Sequence, residues 1–153
     1  MAIKIVTDST ADLPEQVAQK MDITVVPLNV HFGTEAYKDG IDLSADKFYK
    51  LLVAGSELPK TSQPSVGDFV EVYERLGRDA DGILSVHLSS KLSGTYNSAI
   101  QAKGMAGVDC PIEVVDSYQA CMGQGVVAVA AARVAAAGGG ISEVTVAAKN
   151  AVV

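Results

Sequence analysis

The sequence predicts an α/β fold of three layers, a mainly parallel sheet with helices on both faces. Three observations predict it. Short apolar runs alternate with segments of helical period, the order in which a parallel sheet is wound with its crossover helices. The 153 residues are 48% hydrophobic and only 20% charged, enough to bury a core and too apolar for a disordered chain. Strand candidates run into polar, hydroxyl-rich loops, and ligands of such sheets sit outside the carboxyl ends of the strands.

The first strand is Ala2 to Thr7, closed by Asp8-Ser9-Thr10-Ala11-Asp12-Leu13-Pro14. Pro14-Glu15 has the form of a first helical turn, with Asp12 or Leu13 near its cap and the helix reaching about Lys20. Ile23 to Val30 is β-rich, and Pro27 inside it indicates an edge or a bulge. Phe32 to Tyr37 reads as a hairpin arm with Gly33 near the turn, followed by the turn dipeptide Asp39-Gly40. Ser44 caps a helix from Ala45 to Val53 with Phe48, Leu51 and Leu52 on one face, and Gly55 ends it. Pro59 to Ser65 is a loop fixed by two prolines. Ser65 caps a helix, Val66 to Leu76, with Val66, Phe69, Val70, Tyr73 and Leu76 at helical spacing. Gly82 to Leu88 is a buried strand, and a helix follows from about Gly94 to Met105. Ile112 to Val115 is the next strand, ending at Asp116-Ser117. An Ala/Val helix, Met122 to Ala137, stops at Gly138-Gly139-Gly140. Ser142 with Glu143 restarts a helix running to Val153, where no C-cap signal precedes the chain end; this suggests half of something longer.

Few aromatics and no Trp make the core aliphatic, built from Val, Ala, Leu and Ile. The net charge of −6 offers no basic surplus to displace counterions, which argues against a nucleic-acid partner. It also means that an anionic ligand must be held by short-range donors, not steered in by the whole-molecule field. Cys110 and Cys121 lack CxxC spacing and a nearby His pair, so they read as reduced core or near-core thiols rather than a metal site. The apolar tract from Val126 to Ala137 carries Arg133 and is too short to insert stably in a bilayer. With no signal-peptide shape at the N-terminus, the sequence reads as cytoplasmic.

The stretch from His87 to Ala99 carries the strongest functional signal. Four hydroxyls (Ser89, Ser90, Ser93, Thr95), Lys91 and Gly94 lie between a buried strand and a helix. Backbone N–H groups and the positive dipole end of a helix are the makings of an anion site, here without a histidine–carboxylate pair or a metal cluster. A serine hydrolase would need a base and a GxSxG elbow, and Lys91-Leu92-Ser93-Gly94-Thr95 lacks the first glycine. A phosphate-binding P-loop would need a Gly-Lys pair that is absent. Asp8 and Asp12 read as capping and Asx-turn residues, and Asp116-Ser117 likewise. His87 reads as a half-buried strand histidine with one satisfied nitrogen, a phosphohistidine carrier being the alternative. Lys91 reads either as an anion partner or as a surface lysine. No catalytic constellation stands out.

Asp8 to Pro14, Tyr37-Lys38-Asp39-Gly40, Thr61-Ser62-Gln63-Pro64-Ser65, the run from Ser89 to Ala99, and Asp116-Ser117 together resemble the DegV family of bacterial fatty-acid-binding proteins. The third and fourth segments, in that order, carry the specificity. The resemblance implies a two-domain protein that holds one long-chain fatty acid, such as palmitate, and takes no cofactor. It implies that Thr61 and Ser93 bind the carboxylate, with Ser9, Ser62, Gly94 and Thr95 in support. It further implies a carrier of phospholipid metabolism that presents the acid to a separate fatty acid kinase for acyl-phosphate formation. Hydroxyl donors and a helix N-terminus hold a carboxylate with little formal charge, which suits a group that must be handed on. Each buried methylene contributes roughly 0.8 kcal/mol, so a dozen supply about 10 kcal/mol before ordering costs.

By the same resemblance, residues 1–153 correspond to the family's N-terminal α/β domain, and the second domain that closes over the acyl chain is absent from this chain. Either a second half is missing, or this is a one-domain relative whose open apolar face favours a homodimer. Two readings stand beside the resemblance. One is a phosphotransfer domain using His87 or His31, the other a protein-interaction module.

Overall fold

The computed structural model describes residues 2–55 and 57–152. Four parallel strands form its central sheet: β1 (Ala2–Asp8), β2 (Ile23–Val26), β6 (Ala80–His87) and β7 (Ile112–Asp116), in the order β2-β1-β6-β7. A separate antiparallel sheet of three strands, β3 (Asn29–Phe32), β4 (Glu35–Lys38) and β5 (Lys60–Ser62), has β3 in its middle. The helices are α1 (Glu15–Lys20), α2 (Ala45–Ala54), α3 (Val66–Gly77), α4 (Thr95–Met105), α5 (Met122–Ala136) and α6 (Ile141–Ala151).

Helices cover both faces of the parallel sheet, as three layers require. On one face Ile3, Ile5, Leu84, Val86 and Val115 pack against Ala18 of α1, Val127 and Ala131 of α5, and Val144 and Ala148 of α6. On the other, Val6, Val26, Ile83 and Ile112 meet Phe69 and Tyr73 of α3 and Ala99 and Ala102 of α4. Small residues on α5 let it lie close to the chain beneath: a Cβ on Gly125 would come within 2.7 Å of the Ala11 carbonyl. The aliphatic expectation holds, with Phe69 and Tyr73 the large buried exceptions.

Ser44 and Ser65 cap α2 and α3, and the Ser65 amide in turn donates to the Asp68 carboxylate at 2.7 Å. Four local expectations are corrected. Ile23 to Val30 is not one strand but β2 and β3, in different sheets. Pro27 has no N–H to give a ladder, and the next amide, Leu28, donates instead to Ser9 Oγ at 3.0 Å. The loop at Thr61 contains β5, pairing Val30 with Thr61 and Asn29 with Ser62. Pro14 itself is the N-cap of α1, while Asp12 closes the preceding 3-10 turn (Ser9–Ala11) with φ 50°. Finally, α6 is capped by Gly140, whose amide donates to Glu143 Oε2 at 2.9 Å. That helix ends at Ala151, and Val153 lies outside the described residues.

Among the described residues, no helix is long and apolar enough to cross a membrane. Both cysteines are free, but Cys121, the N-cap residue of α5, is exposed, contrary to a near-core placement.

Candidate functional site

The carboxyl ends of β1 and β6 lie side by side, and this adjacency builds the site's foundation. The register pairs Thr7 with Val86, so Asp8 and His87 meet at the rim. Asp8 Oδ2 accepts from His87 Nδ1 at 2.8 Å, from the Leu88 amide at 3.2 Å and from Gln124 Nε2 at 2.9 Å. Asp8 Oδ1 accepts from the Thr10 amide at 3.1 Å and from the Thr10 hydroxyl. Burial pushes the Asp8 carboxyl up, but the hydrogen bond and attraction of His87, with Thr10 and the Leu88 amide, outweigh it and hold the group below the ordinary carboxylate value.

A second branch continues inward. Tyr73 Oη donates to Ser85 Oγ at 2.8 Å, and Ser85 Oγ lies 2.6 Å from His87 Nε2. With the tyrosine proton on Ser85, the serine proton is directed at Nε2, which leaves the Nδ1 proton for Asp8. Burial pushes the Tyr73 hydroxyl well above its ordinary value, which keeps it a donor. Ser85, His87 and Asp8 follow the order of a hydrolytic relay, yet all three are 0% exposed. Tyr73 occupies the outer side of the serine, so the arrangement is a buried polar anchor. It corrects two expectations. The rim does contain a histidine–carboxylate pair, and His87 is fully buried with both ring nitrogens engaged, not half-buried with one. The same geometry removes His87 from phosphotransfer, since neither nitrogen reaches solvent. Asp8 keeps its capping role and adds the His87 hydrogen bond to it.

Above this anchor stand the hydroxyl loops. Thr61 is exposed, on the face of β5 that also carries Val30 across the ladder. Ser62 turns to the opposite face, where its Oγ meets His31 Nε2 at 3.0 Å and Asn29 Nδ2 at 3.3 Å. Gln63 then reaches to α4: its Nε2 donates to Ser98 Oγ at 3.4 Å, and a Cβ on Gly94 would lie 2.6 Å from that same nitrogen. The Thr61 loop is thus seated on the turn that holds Ser93. Ser93 is half-buried, its Oγ accepting from the Thr95 amide at 3.2 Å and sharing a 2.9 Å hydrogen bond with the buried Thr95 hydroxyl. Its backbone amide donates to the Ser89 carbonyl at 3.2 Å. Gly94 is the N-cap of α4, so side-chain-free backbone faces Gln63 there.

Thr61 and Ser9 both line a groove of about 800 Å3, between the α1–β2 edge and the α2–β3 unit. Its walls include Val25, Val30, Ile41 and Phe48, with Asp12, Glu15 and Asp39 at intervals. Ser93 is outside that lining. Ser9 Oγ is committed to the Leu28 amide. Lys91 is exposed, its ammonium 5.9 Å from the Tyr118 ring, and Asp116 accepts from the Ser90 and Tyr118 amides as a turn-former. No group of three or more metal-ligating side chains occurs among the described residues.

Sequence reasoning missed the anchor because its members are scattered: Asp8, Tyr73, Ser85, His87 and Gln124 share no spacing. The one available signal was a polar alternation, Ser85 and His87, in an otherwise apolar strand, two polar side chains on one buried face.

The family model described as "Uncharacterised protein, DegV family" matches residues 2–151. A DegV domain-containing protein of Caldanaerobacter subterraneus is 42% identical over 142 residues, which cover 93% of this chain and 50% of the relative. Protein DegV of Bacillus subtilis is 41% identical over 132 residues, covering 86% and 47%. The crystal structure of Bacillus subtilis DegV, a fatty acid binding protein, superposes with a TM-score of 0.90 at 38% identity, over 98% of this chain and 53% of that one. A stearic acid-binding protein from Eubacterium ventriosum gives 0.87 at 33% identity, over 96% and 52%. The chain therefore spans about half the length of the relatives it matches. With a match over nearly every residue and the same three-layer sheet, the chain belongs to the DegV family.

Proposed function

We propose that this chain binds a long-chain fatty acid such as palmitate, with Thr61 and Ser93 holding the carboxylate and Ser9, Ser62, Gly94 and Thr95 supporting the two loops. The observation that carries this reading is the seat of Gln63 on Gly94, which docks the Thr61 loop on the Ser93 turn. Its support from relatives is that structures of the family from Bacillus subtilis and Thermus thermophilus are fatty acid binding proteins. The groove beside Thr61 offers apolar wall within the size range of small-molecule sites. Its carboxylates favour the acyl chain over the anionic head there. Residues 1–153 act in the cytoplasm as the N-terminal unit of a two-domain carrier, which passes its ligand to a fatty acid kinase for acyl-phosphate formation. Binding without catalysis fits the enclosed Asp8–His87–Ser85 array, which offers substrate no surface.

The test is lipid mass spectrometry of the purified chain before and after incubation with palmitate, repeated on Thr61→Ala plus Ser93→Ala. Retained palmitate in the parent and a loss of affinity on the order of 100-fold in the folded double variant are expected for two charge-assisted hydrogen bonds. No uptake by the parent, or unchanged affinity in the variant, would overturn the reading.

A further inference from the structure

Two hydrogen-bonded paths leave the Asp8 carboxylate, and each ends at one of the two hydroxyl loops. The first starts at Oδ2, which fixes the Leu88 amide at 3.2 Å. The adjacent residue, Ser89, is held by its own amide on the Gln119 carbonyl at 2.9 Å and offers its carbonyl to the Leu92 and Ser93 amides at 2.9 and 3.2 Å. Ser93 therefore hangs from a turn whose root is tied to Asp8. The second path starts at Oδ1, which holds Thr10 by its amide and its hydroxyl. That fixes the 3-10 turn of which Ser9 is the first residue, and Ser9 Oγ accepts from the Leu28 amide at 3.0 Å. Leu28 leads directly into β3, which carries Thr61 across its ladder at Val30.

We propose that Asp8 is the positioning residue of the head-group site, setting the spacing between Thr61 and Ser93 through these two paths. It touches neither hydroxyl. The surroundings make it suited to this: the carboxylate takes five hydrogen bonds in a site with no exposed surface, so none of its directions is free to relax. His87 and Gln124 lock its plane from opposite elements, β6 and α5. A carboxylate is the only side chain of this size whose two oxygens accept from both paths at once; an amide accepts on one side and donates on the other. The inference rests on the proposal that Thr61 and Ser93 hold the carboxylate of a fatty acid.

The experiment is a double-mutant cycle on the full chain with palmitate as the probe, using Asp8→Asn, Ser93→Ala and the pair. Val144→Ala, a core substitution on α6, serves as a control for stability alone. Alongside it, amide hydrogen exchange of Ser93 and Leu28 is read without ligand. Asp8→Asn should weaken palmitate binding about tenfold and should cost clearly less once Ser93 is Ala, because only the path to Thr61 is then left for it to act through. Exchange at the Ser93 and Leu28 amides should rise together in Asp8→Asn and stay at the parent level, relative to global stability, in Val144→Ala. Fully additive effects, or unchanged exchange at both amides, overturn the positioning role. Joint exchange coupling in a parent that takes up no palmitate would support the link and overturn the fatty-acid reading instead.

Discussion

Asp8 Oδ2 and His87 Nδ1 lie 2.8 Å apart although 79 residues separate them in the chain. Both side chains are fully buried at the end of adjacent parallel strands, where ligands of such sheets are held. A buried carboxylate so placed is costly to desolvate unless it is fully hydrogen-bonded, as the donors around Asp8 make it. Here it fixes the floor beneath the Ser93 turn and the Ser9 turn.

That pair makes the fold sensitive to acid in a defined direction. Asp8 sits below its ordinary value when folded, so its contribution to stability is fully present above the unfolded carboxylate value of about 4 and is lost as pH falls through the folded value. Urea midpoints of the parent should decline steeply below about pH 4, and those of Asp8→Asn should decline less over the same range. At neutral pH the same substitution should cost about 3 kcal/mol, since an amide in place of the carboxylate leaves buried donors unpaired. Parallel pH profiles would show that other carboxylates dominate acid unfolding.

Gly94→Ala should separate binding from stability. The added methyl would press on the end of the Gln63 side chain, a flexible group that can swing away. Stability should fall by no more than about 1 kcal/mol, the order of cost of placing Ala instead of Gly at an N-cap. Palmitate affinity should fall, because Gln63 leaves its seat over the Ser93 turn. A loss of stability as large as that of Asp8→Asn would mean that the contact is structural alone.

Much of the fold was legible because its signals are local. Ser44 and Ser65 cap the helices that their positions suggested, and Gly33 turns the β3–β4 hairpin at φ 59°. The hydroxyls at Thr61 and Ser93 stood out because hydroxyl-rich strand ends exceed what a covered sheet needs. What escaped was non-local. β5 is three exposed residues with no alternation of its own, and it exists because β3 offers it a ladder. The division of Ile23 to Val30 between two sheets needed knowledge of where Ser9 lies, since that hydroxyl satisfies the Leu28 amide. His87 could not be told from a half-buried histidine until Asp8 and Ser85 were seen on either side of its ring.

Cys121 offers a test of strain on the same rim. It has φ 54° and ψ −143° at the N-cap of α5, a backbone region that suits glycine and costs other residues roughly 1–3 kcal/mol. The Asp12 carboxylate, hydrogen-bonded to the thiol, pushes Cys121 above its ordinary value, so thiolate chemistry does not account for its presence. Cys121→Gly should therefore raise stability by about 1 kcal/mol after the entropy that glycine gains in the unfolded chain is subtracted. Cys121→Ala, which keeps the Cβ, should show no such gain; equal effects would assign the change to the thiol. The strain has a structural return three residues on, where Gln124 donates to Asp8 Oδ2 and to Thr7 Oγ1 at 2.9 and 3.0 Å. The sharp entry at Cys121 starts α5 at the phase that brings this amide under the sheet rim. Relief of the strain by glycine should consequently leave the Gln124 contacts, and palmitate affinity, unchanged, whereas Gln124→Leu should lower both stability and affinity by removing one of the five hydrogen bonds to the Asp8 carboxylate.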